Sequence, residues 1–416
     1  MTSPQLPWTV RPVAEEEWAA FRDVDAHAFG VAMEPELEES ERLLHRGARD
    51  IGAYDAGELV GIATAYSFRL GVPGAVLPAA GVSWVGVLPT HRRRGVLRAL
   101  MTNQLEAVHD EGTEPLAILW ASEPEIYGRF GYGLASRAFS MTVPRSATAL
   151  HASAPADPGL RLRLADPAAW KDLAPVYDAL AATRPGLPLR DDAWWQRTVR
   201  DFASMRGGRS PLRCVLAEDG DGLRGYALYA TKQFWDENFG KGEVSVREVM
   251  AVDPAARAAL YRYLFDVDLM GSAQLSHVPV DDPLLHWLRN TRHAKPVLED
   301  CLYVRVVDLP RALTGRSYAT DVDVVLDVSD RTCPWNAGTW RLTATGGPTP
   351  DARCEQTDDE ADISLDVVHL GAAYLGGTAL TELALAGGPV EHRPGALTEV
   401  TAAFAHFPAP WTPWVF

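Results

Sequence analysis

Apolar residues along this chain keep two rhythms that take turns. From Glu15 to Ala28 they recur every three or four positions, which predicts an amphipathic helix. Glu58-Leu59-Val60-Gly61-Ile62-Ala63-Thr64-Ala65-Tyr66 predicts a strand, entered from the turn Asp55-Ala56-Gly57. Val82-Ser83-Trp84-Val85-Gly86-Val87 predicts another, closed by Leu88-Pro89-Thr90. Val96, Leu97, Leu100, Met101, Leu105 and Val108 then return to helical spacing. Leu116 to Trp120 is a continuous apolar run, the mark of a buried strand. Such alternation predicts α/β layers.

His151 to Pro158 reads as a linker, after which the alternation resumes. Glu248-Val249-Met250-Ala251-Val252-Asp253-Pro254 leads into a helix carrying Leu260, Tyr261, Leu264 and Phe265. It is a weak echo of Trp84 to Met101, with Pro254 opposite Pro89. Trp194 and Trp195 begin a helical stretch; paired aromatics of this kind are more often core than pocket. From near Val297 the pattern changes. Val322 to Val328 alternates apolar residues with Asp323 and Asp327, as an edge or half-exposed strand does. Trp340 to Thr345 reads likewise, and Leu370 to Gly377 leads into Leu380 to Leu385. Three domains are expected, over 1–148, 149–299 and 300–416.

Composition narrows the class. The chain is 47% hydrophobic and 23% charged, as in ordinary globular proteins. Its formal net charge of −16 argues against general nucleic-acid binding, which needs a basic footprint, and suits cationic substrates. Cys214, Cys301, Cys333 and Cys354 show no C-x-x-C spacing and read as free thiols. Met1 to Trp8 lacks the apolar core of a signal peptide, and no run is long enough for a membrane span. A soluble, cytoplasmic protein is expected. The histidines show no metal-ligand spacing, Asp358-Asp359-Glu360 reads as a solvated acidic turn, and no metal is expected.

The candidate chemistry lies where the Val82–Val87 strand meets the next helix through His91-Arg92-Arg93-Arg94-Gly95. Unpartnered N–H groups at a helix start form an anion site with the helix dipole, and a glycine there lets a phosphate come close. Arg92, Arg93 and Arg94 add charge. The Walker pattern G-x-x-x-x-G-K-S/T is absent. In the second segment the arginines and the glycine give way to Ala255-Ala256-Arg257-Ala258-Ala259, a poor phosphate cradle.

Val85-Gly86-Val87-Leu88-Pro89 with Arg92-Arg93-Arg94-Gly95-Val96-Leu97 resembles the acetyl-CoA motif Gln/Arg-x-x-Gly-x-Gly/Ala of the GNAT N-acetyltransferases; Leu97 departs from it at the last position. Ser122-Glu123 followed by Ile126-Tyr127-Gly128-Arg129-Phe130-Gly131-Tyr132-Gly133 is similar to a signature of the enhanced-intracellular-survival (Eis) acetyltransferases, within which Leu97 is ordinary. The resemblance implies an active GNAT domain, a degenerate GNAT-like domain and a sterol-carrier-like domain, an α/β (α+β) fold. It implies acetyl-CoA as co-substrate, held by Val85, Gly86, Val87, Arg93, Arg94, Gly95, Val96, Leu97, Arg98, Ala121 and Ser122. Tyr127 takes the place of the family's proton donor, and Phe130 and Tyr132 read as structural. The implied acceptors are primary amines of small cationic molecules such as aminoglycosides, or of protein lysines, and the implied assembly is a hexamer.

The last residues, Pro408-Ala409-Pro410-Trp411-Thr412-Pro413-Trp414-Val415-Phe416, are apolar, aromatic and stiffened by proline, unlike a disordered tail. The resemblance implies that the C-terminal carboxylate, on Phe416, is the general base. A free α-carboxyl group has a pKa of about 3.5, and burial would strengthen it as a base. The alternative for the tail is simple hydrophobic packing. Two rival functions stand beside acetyl transfer: a non-catalytic acyl-CoA or lipid-binding protein on the same fold, and an acyltransferase preferring a longer acyl group.

Overall fold

The computed structural model describes residues 8–31, 34–236 and 239–416. The stretch read for a signal peptide lies, except for Trp8, outside them. The chain forms two units. One takes the chain up to Ser136, then Leu302–Phe407 and Val415–Phe416; the other takes Arg137–Cys301 and Pro408–Trp414.

The first unit is built on a seven-stranded sheet. Its strands are β1 (Thr9–Pro12), β2 (Arg49–Asp55), β3 (Glu58–Val72), β4 (Ala75–Val87), β5 (Leu116–Trp120), then Leu302–Val306, and β6 (Gly133–Leu134) at the far edge. Only β4 and β5 are parallel neighbours. Their crossover helix is the expected one: helices α1 (Trp18–Phe29) and α2 (Pro35–His45) precede α3 (Val96–Glu111). Leu100, Met101, Leu105 and Val108, four of the residues at helical spacing, are all buried under α3. Burial of each such side chain contributes about 1.5–3 kcal/mol. A one-turn helix, α4 (Pro124–Tyr127), follows β5.

The same unit carries a five-stranded sheet, in the order Ala352–Gln356, Gly338–Ala344, Val322–Ser329, Ile363–Asp366, Val390–Glu391. Val322–Ser329 is its central strand, not an edge. It keeps Asp323 and Asp327 exposed on one face, with Val325 buried between them, while Val322, Val324, Leu326 and Val328 are buried on the other. Below it Arg305 and Asp330 form a fully buried ion pair at 2.7 Å.

The second unit has its own seven-stranded sheet, in the order Val297–Asp300, Arg137–Pro144, Met270–Pro279, Gly242–Ala251, Gly222–Lys232, Arg213–Asp219, Arg161–Ala165. Arg137–Pro144, inside the expected 1–148 domain, thus hydrogen-bonds in the second sheet, and Leu302–Val306, inside the expected 300–416 domain, in the first. Again one pair is parallel, Gly242–Ala251 with Met270–Pro279, joined by the helix Pro254–Phe265. The weak echo in the sequence is a repeated strand–helix–strand unit. All four cysteines are free and buried. Among the described residues no helix is long and apolar enough to cross a membrane.

Candidate active site

β4 and β5 hydrogen-bond only over Ala79–Val82 and Leu116–Leu119. β4 runs on to Val87 without this partner, so the strands part. At the parting the β3–β4 register slips between Ile62 and Thr64, and Trp84 takes φ +52°. A bulge of this kind re-aims side chains and ends pairing. The opening is a cavity of about 280 Å³. Val82 to Val85 form one wall, Trp120, Ala121, Ser122 and Tyr127 another, and Phe29, Val415 and Phe416 close it.

Phe416 is buried, its ring edge-on to Phe68 with centroids 4.9 Å apart. Gly81 makes this possible: a Cβ there would stand 2.2 Å from the Phe68 ring and 3.3 Å from that of Phe416. Ser83 Oγ donates a hydrogen bond of 2.9 Å to a terminal carboxylate oxygen of Phe416. Tyr127 ends α4, and its buried ring lies edge-on to Tyr132 at 6.1 Å. Burial, with a smaller push from the Glu123 carboxylate, raises its phenol to about 12. Tyr127 therefore keeps its proton at physiological pH. Phe130 and Tyr132 lie in the core cluster.

The arginine loop stands at the other end of this stretch of β4. Gly95 precedes α3 with φ +88°, a left-handed conformation that glycine adopts without strain. Arg92 donates to the Ala28 carbonyl at 3.0 Å. Arg94 lies over the Trp8 ring at 5.0 Å and 3.8 Å from Asp55, and its carbonyl accepts from Trp8 Nε1 at 3.1 Å. Arg93, exposed and at φ +61°, has no hydrogen bond or ion pair among the described residues. The side chain of Val96 is buried and that of Leu97 packs on the core. What these two residues offer a ligand is backbone N–H at the start of α3.

Tyr127, Phe416, Val85, Ala121 and Ser122 thus share one cavity, and Arg93, Arg94, Gly95 and Arg98 belong to the loop and helix start outside its walls. Sequence reasoning missed Ser83, Phe68 and Phe29. Nothing in their local pattern marks them; they come into view only through Phe416, which Ser83 and Phe68 contact and with which Phe29 shares the cavity. It also missed the polar cluster behind Trp84. His45 Nδ1 donates to Asp50 at 2.9 Å, and Trp18 and Trp84 pack on its ring at 4.8 and 4.9 Å. Asp25 is buried nearby on α1, and that burial raises its carboxyl pKa against the opposing pull of Arg22 and His45.

In the second unit both corresponding features are filled by the chain itself. Asp253 caps the helix Pro254–Phe265, accepting from the N–H groups of Ala255 and Ala256 at 2.9 and 3.0 Å. A carboxylate occupies the position where a phosphate would sit. The parallel pairing ends at Val246 and Leu275, and the opening beyond holds Trp411 and Pro413, leaving about 20 Å³. Trp411 Nε1 donates to the His277 carbonyl, and Trp414 Nε1 to Tyr177 Oη at 3.0 Å. Trp194 packs on Trp414 with centroids 5.0 Å apart, while Trp195 stacks on Trp170 in the core.

Comparison with known proteins agrees with this duplication. Residues 9–135 and 186–306 each match an acetyltransferase (GNAT) domain family, and residues 309–413 match a sterol carrier protein domain. An uncharacterized N-acetyltransferase of Streptomyces avermitilis is 44% identical over 407 residues, 97% of this chain and 98% of the relative. The N-acetyltransferase Eis of Mycobacterium bovis is 36% identical over 404 residues, 94% of this chain and 95% of that protein. The crystal structure of Eis1 from Mycobacterium abscessus superposes with a TM-score of 0.82 at 31% identity, covering 98% of this chain and all of the other.

Proposed function

The chain belongs to the Eis family of GNAT N-acetyltransferases, enzymes that use acetyl-CoA, and from this premise we propose that it acetylates primary amines by direct attack, with Tyr127 as general acid and the Phe416 carboxylate as general base. One observation carries the reading: the phenol of Tyr127 and the C-terminal residue line the same small cavity, where the β4–β5 ladder ends.

The chemistry follows from the residues. An ammonium group must lose a proton before its nitrogen can attack a thioester. The terminal carboxylate accepts that proton, and Ser83 orients it. Backbone N–H groups of the unpaired stretch of β4 near Val85 stabilise the charge on the thioester oxygen. As the intermediate collapses, the departing sulfur takes a hydrogen bond from Tyr127 and receives its proton while the C–S bond breaks, and the nitrogen sheds its remaining extra proton, by way of water, to the phenolate left behind. A phenol at about 12 gives up its proton only in concert with departure, because a free thiol is far more acidic, near 8.5. The Arg92–Arg94 loop and the start of α3 hold the phosphates of the donor.

The acceptors we propose are polycationic amines, aminoglycoside-like molecules or lysine side chains. The net charge of −16 supports this. The family resemblance further supports a hexamer, which light scattering would test. The deciding experiment lengthens the chain by two or three residues after Phe416. Acetyl transfer, followed as thiol release with a polyamine, is expected to fall at least about 10²-fold with the circular dichroism spectrum unchanged. Undiminished turnover would remove the carboxylate from the mechanism.

A further inference from the structure

The largest charge anomaly lies in the second unit, far in sequence from the arginine loop. A cavity of about 490 Å³ is lined, among the described residues, by Arg190, Arg197, Arg200, Arg206, Arg209 and Arg247 together with Asp201 and Glu248, and Glu243 stands 3.8 Å from Arg209. The whole chain has the opposite balance, 39 basic residues against 55 acidic. Arg190, Arg206 and Arg209 each have a carboxylate partner, so the cavity offers a small anion chiefly N–H donors, with Arg247 the arginine that decides whether it binds.

Arg190, Arg206, Arg209 and Arg247 are fixed in place. Arg190 is paired with Glu248 at 2.7 Å in the core. Arg206 is paired with Asp201 at 2.9 Å, and Asp201 also accepts from the Leu212 N–H, which pins the loop between them. Arg209 donates to Ser245 Oγ at 2.8 Å. Arg247 differs from these. Its Nη1 donates to the backbone carbonyls of Thr198 and Arg200 at 2.8 and 3.0 Å. Those bonds orient the guanidinium without cancelling its charge. Its Nε and Nη2 have no partner among the described residues, and the side chain is exposed. A held guanidinium with free donors is suited to an oxyanion, which it can bind through two parallel N–H groups.

The volume is within the range of small-molecule sites, roughly 300–1,000 Å³. The strong acidity of the chain as a whole disfavours an extended polyanion. We propose that this cavity binds a small phosphate-bearing anion, with Arg247 as its principal contact. Phosphate is favoured over carboxylate because one phosphate group brings up to two charges and three acceptor oxygens to several guanidiniums at once. The site would be distinct from donor binding, since the helix start of this unit is already capped by Asp253.

The test is calorimetric titration of the full chain with inorganic pyrophosphate. It is run in an Arg93→Ala/Arg94→Ala background, so that the first unit's loop cannot supply the signal. Saturable binding of one equivalent is expected. Adding Arg247→Gln is expected to weaken it about tenfold or more. Arg209→Gln is a second probe on another strand-facing position, and circular dichroism checks that both variants fold. Absence of saturable binding, or binding that neither variant weakens, would overturn the site. Citrate binding as tightly as pyrophosphate would overturn the choice of phosphate.

Discussion

Tyr127 and Ser83 are the residues on which the proposed mechanism turns. Tyr127→Phe keeps the ring in its buried seat and removes only the donor. Turnover is expected to drop about 10²-fold or more, with the KM for acetyl-CoA little changed, in steady-state assays. The pH dependence follows from the raised phenol. The donating form is present below about 12, so kcat should show no alkaline fall from Tyr127 between about pH 8 and pH 10. A descending limb near pH 9 that vanished in Tyr127→Phe would contradict this. The motif singles out Tyr127 and the apolar tail Phe416, and both line the one cavity. Neither singles out Ser83: a serine in a strand carries no sign of function until the last residue of the chain is seen beside it.

At the level of elements, the β4–loop–α3 junction divides its work unevenly. Arg92 and Arg94 are tied to Ala28, Asp55 and Trp8, whereas Arg93 is exposed and unengaged. Arg93→Ala is therefore expected to raise the KM for acetyl-CoA several-fold with kcat nearly unchanged and the melting temperature unmoved. Arg94→Ala should do the same and also lower the melting temperature. The strands and helices of this junction were readable because their apolar residues recur at clear periods. The position of Val322–Ser329 was not, since a central strand with one solvated face has the same alternation as an edge strand. The exchange of Arg137–Pro144 and Leu302–Val306 between the expected domains was equally hidden, because a boundary in sequence says nothing about which sheet a strand joins.

At the scale of the whole molecule, charge and buried ion pairs make the predictions. With a net charge of −16, kcat/KM for a polycationic amine should fall as sodium chloride is raised from about 50 to 300 mM, and that for a neutral amine should not. Arg305→Leu would leave Asp330 buried without its cation. The loss is expected to be about 3–5 kcal/mol, read as a lower urea midpoint. The three-part plan was legible from the family resemblance. What composition could not reveal is how the second parallel opening is used. Asp253 is an anion that can never diffuse away. The helix start it covers has the same free energy at every ligand concentration. The one behind Gly95, on the proposed reading that it holds the donor's phosphates, would gain about 2.7 kcal/mol with that ligand at a hundred times Kd. A single duplicated architecture thus carries two kinds of robustness, one written permanently into the gene and one that rises and falls with metabolic supply.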